Sequence, residues 1–419
     1  MKLAIVGGGS TYTPELIDGF ARLRDTLAID ELWLVDPNEE RRELIAAFGR
    51  RMLARAGHPA VIHATADLGR GAADADAVLF QLRVGGQQAR FGDETFPHGV
   101  CCIGQETTGP GGFAKALRTV PVMLKAAETA RAVAKPGAWL VDFTNPVGIV
   151  TRALLNEGHR AVGLCNVAIG FQRHFAEQFS VDASQVRLDH VGLNHLTWER
   201  GIHVDGVDVL PTLLSEQLEE TAASVEMPPA LLAMIGAIPS YYLRYYYAHD
   251  EVFREQVFAP PRAQVVAASE QTLLAAYADE TQDTKPAELE KRGGAYYSEA
   301  AVDVLASLTA DRGDTQILNV RNDGTMPFLP DDHVIEVPTT VRAAGLTALP
   351  IAPLPDDIRG LIAHVAGYER LALEAAAHGG RDRVVRAMLA HPLVGQFDKA
   401  EKLTDALIAE NADHLEWTK

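Results

Sequence analysis

The chain has 419 residues, which is too long for one ordinary hydrophobic core. Of these residues 47% are hydrophobic and 22% charged, a composition typical of a globular protein. The formal net charge is −18, and no run rich in lysine or arginine is present, so we expect neither a nucleic acid nor a membrane as partner. No stretch approaches the roughly 18 apolar residues that span a bilayer. Three cysteines cannot form a disulfide framework, so we expect a cytoplasmic protein.

The first part of the chain alternates short apolar runs with helical patterns. Strands are predicted at residues 3–6, 31–35, 77–82, 139–143 and 161–164. Helices are predicted at residues 14–23, 39–56 and 114–134. This alternation is typical of βαβ units, and it predicts a Rossmann-like parallel sheet in an N-terminal domain of residues 1–165.

The pattern changes after residue 165. Helices are predicted at residues 211–224, 264–278, 358–377, 381–390 and 399–412, with a strand-like piece at 334–337. We interpret residues 166–419 as an α+β domain for catalysis, substrate binding and oligomerisation. No linker separates it from the first domain, so we expect the two to share an interface.

A glycine-rich loop follows the first predicted strand and precedes a helix. Gly7, Gly9, Ser10 and Thr11 lie in this loop, and Asp36 closes the second predicted strand. Glycines let the backbone approach a pyrophosphate at the helix N-terminus, and an acid at the end of the second strand can bind the ribose of NAD. Tyr12 replaces the third glycine of the usual pattern. The loop therefore predicts a dinucleotide site, with NAD favoured over NADP, FAD or another nucleotide.

Two residues suggest a metal site. Cys165 follows a predicted parallel strand, and His195 lies in an apolar context. One thiolate and one imidazole can bind a divalent metal and leave positions open for substrate oxygens. From the residues alone, the commoner interpretations are that Cys165 is a small buried side chain and that His195 is structural.

Other polar segments have two interpretations each. Residues 241–247 contain five tyrosines, which form either a buried aromatic face or the source of a catalytic base whose pKa a metal and Arg262 could lower. Asn145 either binds a substrate hydroxyl or forms an Asx turn before Pro146. Arg83 and Arg90 either bind a ligand or pair with Asp93 or Glu94. The Gly-rich loop 104–112 is typical of a cleft or lid.

Together these segments resemble glycoside hydrolase family 4, the NAD- and metal-dependent glycosidases, and especially its 6-phospho-β-glucosidase branch. The matching stretches, in family order, are Gly7-Gly8-Gly9-Ser10-Thr11-Tyr12-Thr13-Pro14-Glu15-Leu16, Ile103-Gly104-Gln105-Glu106-Thr107-Thr108-Gly109, Phe143-Thr144-Asn145-Pro146, Gly163-Leu164-Cys165-Asn166-Val167, Gly192-Leu193-Asn194-His195-Leu196, Tyr242-Leu243-Arg244-Tyr245-Tyr246 and Lys291-Arg292-Gly293-Gly294.

The resemblance implies an overall fold like that of lactate and malate dehydrogenases, in a homodimer or homotetramer. It implies that Cys165 and His195 bind Mn²⁺ or another divalent metal, and that Tyr242 is the base. The substrate-binding residues that it implies are Arg90, Asn145, Asn166 and Arg262.

The implied reaction is hydrolysis of a 6-phospho-β-glucoside by oxidation at C3 with NAD⁺, deprotonation at C2, elimination of the aglycone and addition of water. Asn166 stands where relatives acting on α-linkages carry an acid, which favours a β-linked substrate and leaves the proton donor to the leaving group unassigned. Ala168 and Gly170 replace the Pro and Asn expected after the cysteine. A non-phosphorylated β-glucoside stays open as an alternative.

Two other classes of function compete with this interpretation. An NAD-dependent 2-hydroxy-acid dehydrogenase would share the fold, use His195 as acid–base and form NADH from its substrate without a metal. A non-catalytic NAD-binding protein would give Cys165, His195 and Tyr242 no reason to converge, and a separation of more than about 10 Å would favour it.

Overall fold

The fold is taken from a computed structural model that describes residues 1–291 and 296–418. Residues 292–294 of the matching stretch Lys291-Arg292-Gly293-Gly294 lie outside the described residues. The strands are β1 (Lys2–Val6), β2 (Glu31–Val35), β3 (Val61–Thr65), β4 (Ala77–Phe80), β5 (Trp139–Asp142), β6 (Ala161–Gly163), β7 (Val186–Leu193), β8 (Leu196–Val204), β9 (Val207–Asp208), β10 (Ile238–Pro239), β11 (Thr315–Arg321), β12 (Val334–Arg342) and β13 (Gly345–Ala348).

Helices cover both parts of the chain. They are α1 (Thr13–Arg22), α2 (Glu39–Arg55), α3 (Leu68–Ala72), α4 (Gly86–Thr95), α5 (Gly109–Val133), α6 (Val147–Asn156), α7 (Val167–Phe179), α8 (Leu210–Glu216), α9 (Leu218–Ser224), α10 (Pro229–Ile235), α11 (Arg244–Tyr247), α12 (His249–Phe258), α13 (Arg262–Ala278), α14 (Glu288–Lys291), α15 (Tyr297–Ala310), α16 (Asp356–His378), α17 (Arg381–Ala390) and α18 (Phe397–Asn411). No helix of the described part is both long and apolar enough to cross a membrane.

The first six strands form a parallel sheet in the order β3-β2-β1-β4-β5-β6. The five strands predicted from the sequence are present, and the Rossmann-like interpretation is confirmed. The sequence analysis missed β3, an edge strand with Val61 exposed, because one-sided pairing and a polar face hide its apolar pattern. The carboxyl ends of these strands meet at one edge, where ligands of such folds bind.

The sheet does not stop at residue 165. β6 pairs with β11 through Gly163 and Asn319, and antiparallel strands then continue in the order β12-β7-β8-β10. The two parts of the chain therefore share one sheet as well as packed faces. This continuity brings side chains from β6, β7 and β8 to the edge that also carries the glycine-rich loop.

Two sequence predictions in the second part need correction. The helix predicted over residues 211–224 is two helices, α8 and α9, because Gln217 leaves the helical region at φ −124° and ψ 25°. The strand-like piece at 334–337 is the start of the nine-residue strand β12. The helices predicted in the last third correspond to α16, α17 and α18.

Arg118 forms a buried ion pair within the first part of the chain and also hydrogen-bonds the end of helix α18. Arg118 of α5 is 1% exposed and donates to both carboxylate oxygens of Asp93 in α4, over 2.8 and 2.5 Å. It also donates to Asn411 Oδ1 at the end of α18 over 3.1 Å and to the Val84 carbonyl over 3.0 Å. Each donor and acceptor of this pair therefore has a partner away from water.

Candidate active site

The glycine-rich loop between β1 and α1 lies against neighbouring backbone. Gly7 has φ +87°, and a Cβ added there would lie 2.7 Å from the Gln81 carbonyl oxygen. A Cβ at Gly9 would lie 2.8 Å from the Asp36 carboxyl carbon. Because no side chain fits at either position, the loop keeps an open backbone surface of the kind that binds a pyrophosphate.

Asp36 is fixed beside this loop at the end of β2. One carboxylate oxygen accepts the Gly9 N–H over 3.0 Å, and the other accepts the Asn38 N–H over 2.9 Å. Ser10 lines the adjoining cleft, whereas the Thr11 hydroxyl is buried and donates to Glu270 Oε1 over 3.1 Å. Thr11 thus contributes its backbone to the loop, with its side chain anchored to α13.

We expect Gly9→Ala to weaken NAD binding by at least about tenfold, since a clash that displaces the Asp36 carboxylate costs about 1.4 kcal/mol or more. Calorimetric titration with NAD⁺ measures the effect. The matched control is Gly360→Ala, where a Cβ meets nothing within 4 Å on the exposed side of α16. Equal NAD affinity in Gly9→Ala and the control would contradict the assignment of this loop.

A cleft of about 290 Å³ opens beside the loop, at the carboxyl edge of the parallel strands. Six of the twelve site residues predicted from the sequence line it, although they come from distant parts of the chain. They are Ser10, Arg90, Asn145, Asn166, Tyr242 and Arg262. The cleft therefore joins the glycine-rich loop to side chains from both parts of the protein.

Tyr242 lines this cleft and lies beside both His195 and Cys165. His195 occupies the two-residue turn between β7 and β8, with φ +62°, a conformation that is costly for a non-glycine residue and frequent at functional sites. Its ring stacks on Tyr242 with centroids 3.7 Å apart and planes 7° from parallel. The Cys165 thiol is buried and close enough to Tyr242 to act on its ionisation.

Burial controls the ionisation of these three groups. It lowers the pKa of His195 to about 4 and raises the pKa of the Cys165 thiol well above its ordinary value. Burial, followed by the negative charges of Cys165 and nearby groups, raises the pKa of the Tyr242 phenol well above 10. The sequence analysis considered a lowered pKa for this phenol, and the protein's own groups do not produce one. For Tyr242 to act as a base, a bound cation must therefore lower its pKa against the effect of burial.

The donor set at this point fits a divalent metal. Among the described residues no three His, Cys, Asp or Glu side chains gather in a way that could hold a metal ion, so Cys165 and His195 would supply two such ligands at most. Thr107 Oγ1 lies 2.9 Å from His195 Nδ1, the kind of outer contact that orients a metal-binding imidazole. A thiol and an imidazole suit a borderline metal and leave positions for substrate oxygens.

The predicted substrate residues differ in how they are held. The Asn145 side-chain oxygen is buried without a hydrogen-bond partner in the described structure, as expected of an atom that receives a ligand hydroxyl. Asn166 immediately precedes α7, and Arg262 is the first residue of α13. Both face the cleft from helix N-termini. Because the Asn145 side-chain oxygen accepts no hydrogen bond in the described structure, it does not form the Asx turn considered from the sequence.

Sequence reasoning missed a charged cluster in the cleft wall. Glu106 is 8% exposed and contacts Arg83, Arg90 over 3.2 Å and Lys115 over 2.7 Å. Burial alone would raise the pKa of Glu106, but these cations hold it well below its ordinary value. Burial lowers the pKa of Lys115 to about 8. Arg90 also pairs with Glu94 over 2.7 Å, so it is both a cleft residue and an ion-pair partner.

A second group of polar side chains lies beside Cys165 and His195. Glu336 accepts from Asn194 Nδ2 over 2.9 Å and from Asn319 Nδ2 over 3.0 Å, and it contacts His190 Nε2 over 3.1 Å. Asn194 also hydrogen-bonds the Cys165 thiol. Sequence reasoning missed this group because its members are scattered singly over residues 190–336.

The tyrosine-rich segment packs within the chain. Tyr245 is buried beside Tyr241 and Tyr242, with each pair of ring centroids 6.3 Å apart. Tyr246 stacks on His391 with centroids 6.3 Å apart. The rings pack on one another, although Tyr245 is the buried one of the five and Tyr241 is exposed, and Tyr242 lines the cleft.

The chain matches known proteins along its whole length. Residues 2–181 match the family described as Family 4 glycosyl hydrolase, and residues 190–394 match the Family 4 glycosyl hydrolase C-terminal domain. The chain belongs to glycosyl hydrolase family 4. The resemblance inferred from the ordered motifs is thereby confirmed.

Similar members of this family are named 6-phospho-β-glucosidases. The probable 6-phospho-β-glucosidase of Bacillus subtilis is 38% identical, with 99% of this chain and 97% of that protein covered. The 6-phospho-β-glucosidase of Escherichia coli is 34% identical, with 100% and 96% covered.

Solved structures agree with the fold. That of the 6-phospho-β-glucosidase from Thermotoga maritima with manganese, NAD⁺ and glucose-6-phosphate has a TM-score of 0.93, 34% identity and 99% coverage of both chains. A malate dehydrogenase from Salinibacter ruber is 16% identical with a TM-score of 0.55, which confirms the dehydrogenase-like fold alone.

Proposed function

We propose that this family 4 enzyme hydrolyses 6-phospho-β-glucosides with NAD and a divalent metal such as Mn²⁺. The observation that carries the proposal is the position of Tyr242, which lines the cleft beside the glycine-rich loop and lies next to both His195 and Cys165. A non-catalytic NAD-binding protein gives no reason for such a meeting of thiol, imidazole and phenol.

Each part of the chain has a role in this proposal. Residues 1–165 bind NAD through Gly7, Gly9, Ser10, Thr11 and Asp36, and residues 166–419 supply most of the catalytic and substrate groups. Bound NAD⁺ provides a reversible hydride acceptor for C3 of the sugar. Cys165 and His195 hold the metal, whose charge stabilises the oxygens at C2 and C3.

The remaining side chains act on the sugar itself. Tyr242 takes the C2 proton, because its phenol lines the cleft and its ring stacks on the proposed metal ligand His195. The Asn145 side-chain oxygen, which has no other hydrogen-bond partner in the described structure, accepts a hydrogen bond from a sugar hydroxyl. Arg90, Asn166 and Arg262 bind the rest of the substrate, and the neutral amide of Asn166 suits a β-linkage that leaves by elimination.

The charge of the cleft supports a phosphorylated sugar. The protein has a net charge of −18, yet the described lining contains four cations, Arg83, Arg90, Lys115 and Arg262, against the single carboxylate of Glu106. A local excess of positive charge in an acidic protein attracts an anionic substrate. The similar proteins named as 6-phospho-β-glucosidases point to the same class.

The decisive experiment compares p-nitrophenyl β-glucoside with its 6-phosphate, with and without NAD⁺ and Mn²⁺. We expect nitrophenol release only when both are present, and at least about tenfold faster from the phosphorylated sugar, since one well-placed ion pair contributes over 1 kcal/mol. Faster release from the unphosphorylated glucoside would select that alternative. Release that ignores NAD⁺ and Mn²⁺ would contradict the mechanism, and stoichiometric NADH from lactate or malate would favour a dehydrogenase.

Location and assembly complete the proposal. All three cysteines are free, including the proposed ligand Cys165, which suits a reducing cytoplasm. A homodimer or homotetramer is proposed from the family resemblance, and sedimentation equilibrium at micromolar concentration would measure it.

A further inference from the structure

The last four residues of the Gly-rich segment 104–112 form the first turn of α5, and the loop before them, residues 104–108, reaches the hairpin turn that carries His195. Thr107 Oγ1 of this loop lies 2.9 Å from His195 Nδ1, and the two residues are 88 positions apart in sequence. His195 is buried and Thr107 is half-buried. The direction of this hydrogen bond decides which ring nitrogen of His195 carries a proton.

The direction follows from the neighbouring Gln105 side chain. Gln105 Oε1 accepts the backbone N–H groups of Thr107 and Thr108, the latter over 2.8 Å. Only the oxygen end of the amide can accept from two N–H groups, so the orientation of the amide is fixed. Thr107 Oγ1 lies 2.9 Å from the same oxygen. Because that oxygen cannot donate, the Thr107 hydroxyl must give it its single proton.

The Thr107 hydroxyl can then only accept from His195. Nδ1 therefore carries the ring proton, and a neutral imidazole keeps its lone pair on Nε2, the nitrogen on the far side of the ring from Thr107. The stacked Tyr242 ring, 3.7 Å away, holds the plane of the imidazole. The rotation of the ring and the position of its proton are thus both set before a ligand arrives.

We propose that Thr107, held by Gln105, is a positioning residue that presents Nε2 of His195 to the divalent metal. This inference deepens the proposed function and rests on His195 being a metal ligand. The Gln105–Thr107–His195 chain has the form of the outer-shell hydrogen bonds that raise metal affinity. Removing the hydroxyl frees the ring to rotate and to exchange its proton between the two nitrogens.

Manganese binding tests the proposal without a catalytic assay. The full chain, stripped of metal by a chelator, is titrated with Mn²⁺ in the presence of NAD⁺, and free Mn²⁺ is followed by electron paramagnetic resonance. We expect Thr107→Val, which keeps the shape of the side chain, to weaken Mn²⁺ binding about 10- to 100-fold. Thr107→Ser keeps the hydroxyl and should stay within about threefold of the wild type, which is less than 1 kcal/mol.

A spectroscopic measurement on the wild-type protein is independent of any variant's folding. In metal-free protein labelled with ¹⁵N-histidine, the His195 resonance, identified by its loss in His195→Gln, should show a protonated Nδ1 and an unprotonated Nε2. A protonated Nε2 would overturn the proposal. In Thr107→Val we expect a shift toward a mixture of the two tautomers.

The outcomes distinguish the proposed role of Thr107 from the proposed metal site on which it rests. If His195→Gln binds Mn²⁺ as tightly as the wild type, the metal site itself is wrong and both proposals fall. If His195→Gln loses Mn²⁺ but Thr107→Val binds it normally, only the role of Thr107 is overturned. Unchanged NAD⁺ affinity in Thr107→Val would show that a loss of metal is local.

Discussion

Tyr242→Phe is expected to lower the kcat/KM for a 6-phospho-β-glucoside by about 10²- to 10⁴-fold, the range that a positioned general base contributes. Phenylalanine keeps the ring that stacks on His195 at 3.7 Å, so the affinities for metal and NAD should change little. Exchange of the C2 proton with solvent deuterium, followed by NMR, should fall with the rate, because the same phenol oxygen removes that proton.

A matched control exists in the same segment. Tyr247 is half-buried and does not line the described cleft. Tyr247→Phe should therefore leave kcat/KM unchanged. If Tyr242→Phe retains wild-type turnover, another group must be the base. If it loses Mn²⁺ as well as turnover, Tyr242 serves the metal site and is not the proton acceptor.

The strand ends were predictable because local patterns mark them. Apolar runs followed by glycine or polar residues place Gly7, Asp36, Asn145 and Cys165 at one edge of a parallel sheet, and the structure has them there. Sequence spacing did not bring His195 and Tyr242 to the same place, since neither follows a parallel strand. The ordered motifs of the family resemblance supplied that part.

The β7–β8 hairpin shows why local patterns fail elsewhere. Glu199 is fully buried in β8, and a charge inside an apolar run argues against a core strand. The residue paired with it across the hairpin is His190, and His190 Nδ1 lies 2.6 Å from the Glu199 carboxylate. His190, the partner that stabilises the buried Glu199 carboxylate, can therefore be identified only once the two strands are aligned.

The Glu106 cluster was hidden for a related reason. Lys115 stands alone among small and apolar residues of α5, where a lysine usually indicates an exposed helix face. In the structure it is 2% exposed, and its partner Glu106 lies before the helix begins. The useful signal was the lysine itself, a charge at a position that helical periodicity places in the core.

Arg118→Met is expected to lower the free energy of unfolding by about 3–5 kcal/mol, because it leaves the Asp93 carboxylate buried without its partner. It also removes the hydrogen bond to Asn411, so the end of α18 should exchange its amide hydrogens faster than the sheet. Denaturant unfolding at pH 7 measures the loss. A stability within 1 kcal/mol of the wild type would show that the pair is not needed.

The pH dependence distinguishes a lost charge partner from lost packing. Burial raises the pKa of Asp93 to about 6 in the folded protein, although Arg118 opposes the rise. A carboxyl group whose folded pKa exceeds its unfolded value of about 3.9 loses stability as pH rises between the two. Without Arg118 the folded pKa rises further, so the deficit of Arg118→Met should keep growing above pH 6. The double variant Arg118→Met with Asp93→Asn removes that ionisation and should lose the pH dependence, whereas a defect of packing alone would persist equally at every pH.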